Sequence, residues 1–131
     1  MTELTVLNGA AIQSLLTIPM AVRAVEQAYL EKSTSGAALW PMVFHEFTPG
    51  AADLDIKSGH MNGLGLYGMK VVSWFGDNPA KDLPALYGTS LLFDIHTGAP
   101  RALLNAGPIT DFRTGAAGAV GAKYLARPDA E

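Results

Sequence analysis

The chain has 131 residues, enough for one domain with a real core and too few for two substantial ones. Hydrophobic residues make up 49% and charged residues 16%, which excludes the low-hydropathy, high-charge signature of a disordered chain. The net charge of −3, without a basic block, excludes a phosphate-backbone footprint, and the lack of cysteine removes disulfides, thiolate zinc sites, iron–sulfur clusters and cysteine nucleophiles together.

The N-terminus MTELTVLNGA lacks the basic start and long apolar stretch of a signal peptide, and no apolar run approaches the roughly 18 residues of a spanning helix. A cytoplasmic protein is expected, with neither nucleic acid nor membrane as partner. Two helices are predicted over about residues 9–33. Asn8 caps a short one, and Thr17 followed by Pro19 marks a second start. In the second, Ile18, Val22, Val25 and Tyr29 share a face, while Arg23, Glu26, Gln27 and Glu31 take the other.

Beyond Ser33-Thr34-Ser35-Gly36 the period changes from helical to alternating, and a sheet of about five or six strands is expected over residues 39–105. Alternation predicts strands over 53–59 and 67–75, then a hairpin of 87–95 and 101–105 turned at His96-Thr97-Gly98-Ala99-Pro100. Thr110 is predicted to cap a final Ala/Gly-rich helix over about 111–126, in which Gly115, Gly118 and Gly121 imply a close approach by another element or a ligand. The class is α+β: N-terminal helices, a mostly antiparallel or mixed sheet, and a C-terminal helix, with sheet-mediated dimerisation expected.

The candidate chemistry is cationic. Arg113 falls in the first turn of the predicted last helix, where a guanidinium meets the positive end of the macrodipole unless an anion joins it; pairing with Asp111 is the plainer alternative. Lys70 lies within an otherwise apolar strand, on one face with Val72 and Trp74, and either lines a site or snorkels outward. Lys57 is a similar case, with Asp53 and Asp55 on its own face as ready ion-pair partners.

Other chemistries find little support. His45, His60 and His96 have no metal-ligand spacing, and neither a nucleophile elbow nor a phosphate-binding loop is present. Gly63-Leu64-Gly65-Leu66-Tyr67-Gly68 leads into a strand rather than a helix and is rejected as a dinucleotide fingerprint. Asp94 and Glu46 are not brought together by any pattern in the sequence.

Four segments in order, Gly68-Met69-Lys70-Val71-Val72-Ser73-Trp74, Asp77-Asn78-Pro79 leading to Leu83-Pro84, Asp94-x-x-Thr97-Gly98-x-Pro100, and Ile109-Thr110-x-x-Arg113-Thr114-Gly115-Ala116-Ala117, resemble the ornithine cyclodeaminase/mu-crystallin family. The resemblance runs from the first helices to Ala126. It implies an NAD(P)-dependent enzyme acting on amino acids or cyclic imino acids, such as a cyclodeaminase, alanine dehydrogenase or ketimine reductase. In such proteins an N-terminal domain binds substrate and dimerises through its sheets, and a Rossmann domain follows. By this resemblance Lys70 matches the lysine that holds the substrate carboxylate, Arg113 the arginine serving the same anion, and Thr114 a position beside the cofactor.

The sequence departs from the family pattern in three places. No arginine stands between Arg23 and Arg101, and Met42 or Glu46 occupies that neighbourhood. Where cyclodeaminases carry a glutamate ahead of the lysine strand this chain has Lys57, which argues against ornithine as substrate and offers a replacement cationic contact. Residues 1–126 are expected to form the substrate-binding and dimerisation domain, and 127–131 a boundary towards a Rossmann domain absent from this chain. The chain alone is expected to bind no cofactor tightly, to hold no metal and to be inactive. The alternative reading is a non-enzymatic homodimer that binds small anions or serves as a scaffold.

Overall fold

The computed structural model describes residues 3–129. Met1, Thr2 and the last two residues of the expected boundary segment, Ala130 and Glu131, lie outside them. A short strand, β1 (Thr5–Leu7), precedes the first helix and was not expected; three residues are too few for a period to show. Helix α1 (Gly9–Leu15) starts where Asn8 predicts, the Asn8 side chain accepting from the Ala11 amide at 2.9 Å. Helix α2 (Ile18–Ser33) is capped by Thr17, with Pro19 in its first turn.

The expected division of α2 into faces holds only in part. Ile18 and Tyr29 are exposed, whereas Ala21 and the charged Glu31 are its buried residues. Glu31 is buried for a local reason. Its carboxylate accepts from the Gly63 amide at 3.2 Å and from Gln27 Nε2 at 3.3 Å, tying the end of α2 to a 3₁₀ turn at Asn62–Leu64. A charge at this depth is tolerated because its oxygens are hydrogen-bonded.

Among the described residues the sheet has seven strands rather than five or six. After β1 come β2 (Ala37–Leu39), β3 (Val43–Thr48), β4 (Ala52–Met61), β5 (Leu66–Phe75), β6 (Leu86–Asp94) and β7 (Pro100–Asn105). The order is β1-β7-β6-β5-β4-β2, with β3 also pairing β4. All pairings are antiparallel except β1 with β7, so the sheet is mixed. The expected hairpin forms from β6 and β7. Gly98 takes a left-handed φ of 72°, and Asp94 Oδ1 accepts from the His96 and Thr97 amides and from Thr97 Oγ1, each at 3.0 Å. These bonds hold the Asp94 pKa below its ordinary value, the Thr97 hydroxyl contributing most.

Helix α3 (Ala106–Leu125) begins five residues before the predicted start at Asp111. The cap is Asn105, whose Oδ1 accepts from the Gly107 amide at 3.0 Å, and Thr110 lies inside the helix. Asn105 is also the last residue of β7, so strand passes directly into helix with no intervening loop to signal the change. Ala106, Ala116 and Val120 are the buried residues of α3. Alpha3 packs along α2, where Glu26 accepts from Lys123 at 2.8 Å and from the Tyr124 hydroxyl. The helix meets the sheet at Gly88, where an added Cβ would lie 3.1 Å from the Ala106 Cβ. A Cβ built on Gly115, Gly118 or Gly121 meets nothing within 4 Å, so no described element of this chain makes the close approach expected there.

Candidate functional site

Beta5 runs between β4 and β6, and its register decides what surrounds Lys70. Lys57 of β4 lies directly opposite Lys70 on one side and Ser90 of β6 on the other. Cross-strand partners point to the same face, so Lys57, Lys70 and Ser90 form a row, with Asp55, Val72 and Gly88 as the next row. This is the face on which α3 begins, since Gly88 meets Ala106 there. Lys70 is half-buried as a result. Ser90 drew no notice in the sequence, and only the strand register places it beside Lys70.

The position of Arg113 corrects the expectation of a first-turn guanidinium. With α3 starting at Ala106, Arg113 is the eighth helical residue, roughly 10 Å along the axis and beyond the terminal turn to which the dipole effect is confined. Helix phase rather than the helix end brings it to the site. Burial is the largest cause holding the Lys70 pKa below 10.5; the positive charges of Arg113 and Lys57 lower it further, and the Asp55 carboxylate opposes them. Arg113, Lys57 and Lys70 therefore share one electrostatic neighbourhood.

Among the described residues neither Lys70 nor Arg113 has an ion-pair partner, so the pairing of Arg113 with Asp111 does not form. Lys57 does pair. Its Nζ donates to Asp55 Oδ2 at 2.8 Å, with the lysine side chain 55% exposed and the aspartate 21%. The other oxygen, Asp55 Oδ1, is buried without a hydrogen-bond partner. Asp53, the second partner considered for Lys57, forms no ion pair among the described residues.

The remaining sequence candidates lie elsewhere or have local roles. Thr114 follows Arg113 on α3, is exposed, and donates from Oγ1 to the Thr110 carbonyl at 2.7 Å. Glu46 Oε1 accepts from the Gly50 amide in the turn between β3 and β4, and Met42 is exposed between β2 and β3. No cluster of three His, Asp or Glu side chains able to hold a metal occurs among the described residues. Gly63 to Gly68 passes through the 3₁₀ turn into β5, with Gly65 at φ 63°, so these glycines open a strand. They do not form a dinucleotide cradle, which needs a helix N-terminus aimed at the phosphates.

A cavity of about 460 Å³ lies between α2 and the far end of the same sheet, lined by Tyr29, Lys32, Leu39, Met61, Leu66 and Leu92 among others. None of the three cations lines it. No helix is long and apolar enough to cross a membrane among the described residues.

Comparison with known proteins matches this arrangement to an existing fold. An alanine dehydrogenase from Archaeoglobus fulgidus is 37% identical over 125 residues, covering 95% of this chain and 38% of that protein. The solved structure of an archaeal alanine dehydrogenase dimer with bound NAD superimposes with a TM-score of 0.90 at 35% identity, covering 97% of this chain and 38% of that one. The Thermococcus litoralis Δ1-pyrroline-2-carboxylate reductase in complex with NADH and L-proline gives a TM-score of 0.90 at 31% identity, over 97% of this chain and 39% of that one. The chain thus spans about two fifths of the length of these relatives. The family model of the ornithine cyclodeaminase/mu-crystallin proteins matches residues 2–131, and with it the chain belongs to the ornithine cyclodeaminase/mu-crystallin family.

Proposed function

We propose that this chain is the substrate-carboxylate-binding part of an NAD(P)-dependent amino-acid or imino-acid enzyme, one that works as a cyclodeaminase, an alanine dehydrogenase or a ketimine reductase. The observation that carries the reading is the pairing of Lys70 and Arg113. One is half-buried in the middle of a sheet, the other acts on it from α3, and neither has an ion-pair partner among the described residues. Arg113 is exposed, but leaving the half-buried Lys70 ammonium unpaired is costly, and a bound carboxylate relieves it. Lys70 and Arg113 neutralise and orient that carboxylate, and their contribution to rate is positioning rather than covalent chemistry.

The cofactor belongs to a Rossmann domain outside this chain, with residues 127–131 as the boundary. Support comes from the chain's coverage of about two fifths of relatives solved with NAD or NADH. Thr114 is assigned beside the cofactor by the family resemblance alone. Without that domain the chain is inactive. Partnership with a second copy through the sheet accords with the exposed apolar side chains of β2 and β3, Leu39, Val43, Phe44 and Phe47, and a cytoplasmic location accords with the lack of cysteine.

The test is turnover in the protein that carries the cofactor domain, with NADH or NADPH and either pyruvate plus ammonium or Δ1-pyrroline-2-carboxylate, and with NAD and ornithine for the cyclising reaction. Lys70→Ala and Arg113→Ala are each expected to lower kcat/KM roughly 10- to 100-fold, the scale of one charge-assisted hydrogen bond. Turnover that survives both substitutions overturns the site assignment.

A further inference from the structure

The register that sets Lys57, Lys70 and Ser90 in one row sets Gly59, Gly68 and Leu92 in the adjacent row of the same face. Two residues along a strand span about 6.8 Å, which is the distance from the Lys70 backbone to that of Gly68. Gly59, Gly68 and Leu92 all line the cavity of about 460 Å³ between α2 and the sheet, so the cavity opens beside the half-buried lysine. Its volume falls within the roughly 300–1,000 Å³ of ligand pockets. The lining is apolar. Leu39, Met61, Leu66 and Leu92 stand on the Lys70 face, and Ala28 and Tyr29 face them from α2. His60 also lines it, but alternation turns the imidazole to the opposite face, where Nδ1 accepts from Trp40 Nε1 at 3.2 Å. Lys32 is the charged residue of the lining, and it is exposed. Gly68 has no side chain to wall the lysine off from this space. A Cβ there would come 2.8 Å from Leu92 Cδ2, so the leucine lies over the glycine and gives the passage an apolar floor.

We infer that this cavity receives the side chain of the substrate, and that the substrate is an α-amino or α-imino acid with an apolar side chain of four or more carbons, aliphatic or aromatic. The inference rests on the reading that Lys70 holds the substrate carboxylate, and it adds the pocket that selects the substrate's other end. Reach decides the size. A carbon chain extends about 1.2 Å per bond, so an acid held at Lys70 needs about five bonds beyond its carboxyl carbon to enter over Gly68. A side chain of one methyl group stops short of the cavity. Side chains ending in a charge or an amide are disfavoured, because the leucines of the lining offer no hydrogen bond to a group taken out of water.

Calorimetric titration of the protein with propionate and with hexanoate decides the matter, since these acids share the carboxylate and differ only in the length of the tail. Each methylene moved from water into the cavity contributes about 0.8 kcal/mol, roughly fourfold in affinity, so hexanoate is expected to bind at least about tenfold more tightly. Ala28→Phe and Ala37→Leu each fill the cavity and are expected to bring the ratio of the two affinities close to one. Lys70→Gln is expected to weaken both acids. Equal affinities in the parent protein, failure of both acids to bind, a ratio that persists in both filled variants, or hexanoate binding unchanged in Lys70→Gln overturns the assignment of the cavity to the substrate side chain. The underlying reading fails separately, through turnover insensitive to Lys70→Ala and Arg113→Ala; turnover that needs both residues, with no preference for hexanoate, removes the pocket alone. A fold lost in Ala28→Phe is recognised by circular dichroism, and Ala37→Leu then carries the comparison.

Discussion

Lys70 and Arg113 stand 43 positions apart in the sequence, yet the guanidinium on α3 is the foremost charge acting on the ammonium in β5. Neither has an ion-pair partner among the described residues, and burial already disfavours the charged form of Lys70. On the proposed reading, the two together receive the substrate carboxylate.

The pH dependence follows from the direction of that shift. A lysine whose pKa falls on folding leaves the folded chain with fewer bound protons than the unfolded one between its folded value and 10.5, so unfolding free energy rises as pH climbs through that interval. Carboxylate binding, as proposed, is expected to run the opposite way: strongest below the folded pKa of Lys70, where the ammonium is charged, and weaker above it. Nuclear magnetic resonance titration of the lysine side chains is expected to find Lys70 below 10.5 and to find it raised in Arg113→Ala. A Lys70 pKa unmoved by that substitution would separate the two charges.

Asn105 sets where α3 begins, and with it the turn on which Arg113 lies. Asn105→Ala is expected to cost about 1 kcal/mol in urea unfolding, the usual loss for an N-cap side chain. Asn105→Ser or Asn105→Asp should recover most of it. Equal loss in all three variants would show that the cap oxygen is not what stabilises this junction.

Glu31 and Gly63 form the second structural dependence. Glu31→Ala leaves the Gly63 amide without its acceptor and is expected to cost about 1–3 kcal/mol. Gly63→Ala places a Cβ 2.6 Å from Glu31 Oε1 and must displace the carboxylate. Because the two changes strike one contact, their costs should be less than additive in a double-mutant cycle, and strict additivity would argue against the contact.

The glycines of α3 make an opposite prediction. A Cβ at Gly115, Gly118 or Gly121 meets open space, so Ala at each is expected to stabilise the isolated chain by roughly 0.8–1 kcal/mol through helix propensity alone. Thermal unfolding of the triple variant reads this directly. A lower Tm would mean that another molecule packs on that face in solution.

The sequence by itself determined the local pieces of this protein. Asn8 and Thr17 cap the helices they were expected to cap, Gly98 takes the left-handed position in the hairpin, and alternation set Lys70, Val72 and Trp74 on one face. These features depend on neighbours within a few residues, which a linear reading can weigh. Family membership was legible for the same reason, since its motifs are local runs in a fixed order.

What the tertiary structure decided depends on contacts between distant segments. Strand register placed Lys57 and Ser90 on either side of Lys70, and a one-residue slip would have turned each away. The burial of Glu31 required the turn at Asn62–Leu64, which lies 32 residues away at the Gly63 bond. Strand β1 exists only because β7 offers it an edge, and the direct passage from β7 into α3 moved Arg113 from the helix end to its interior. Propensity along the chain could not supply these placements, because each is fixed by a partner that only folding brings within reach.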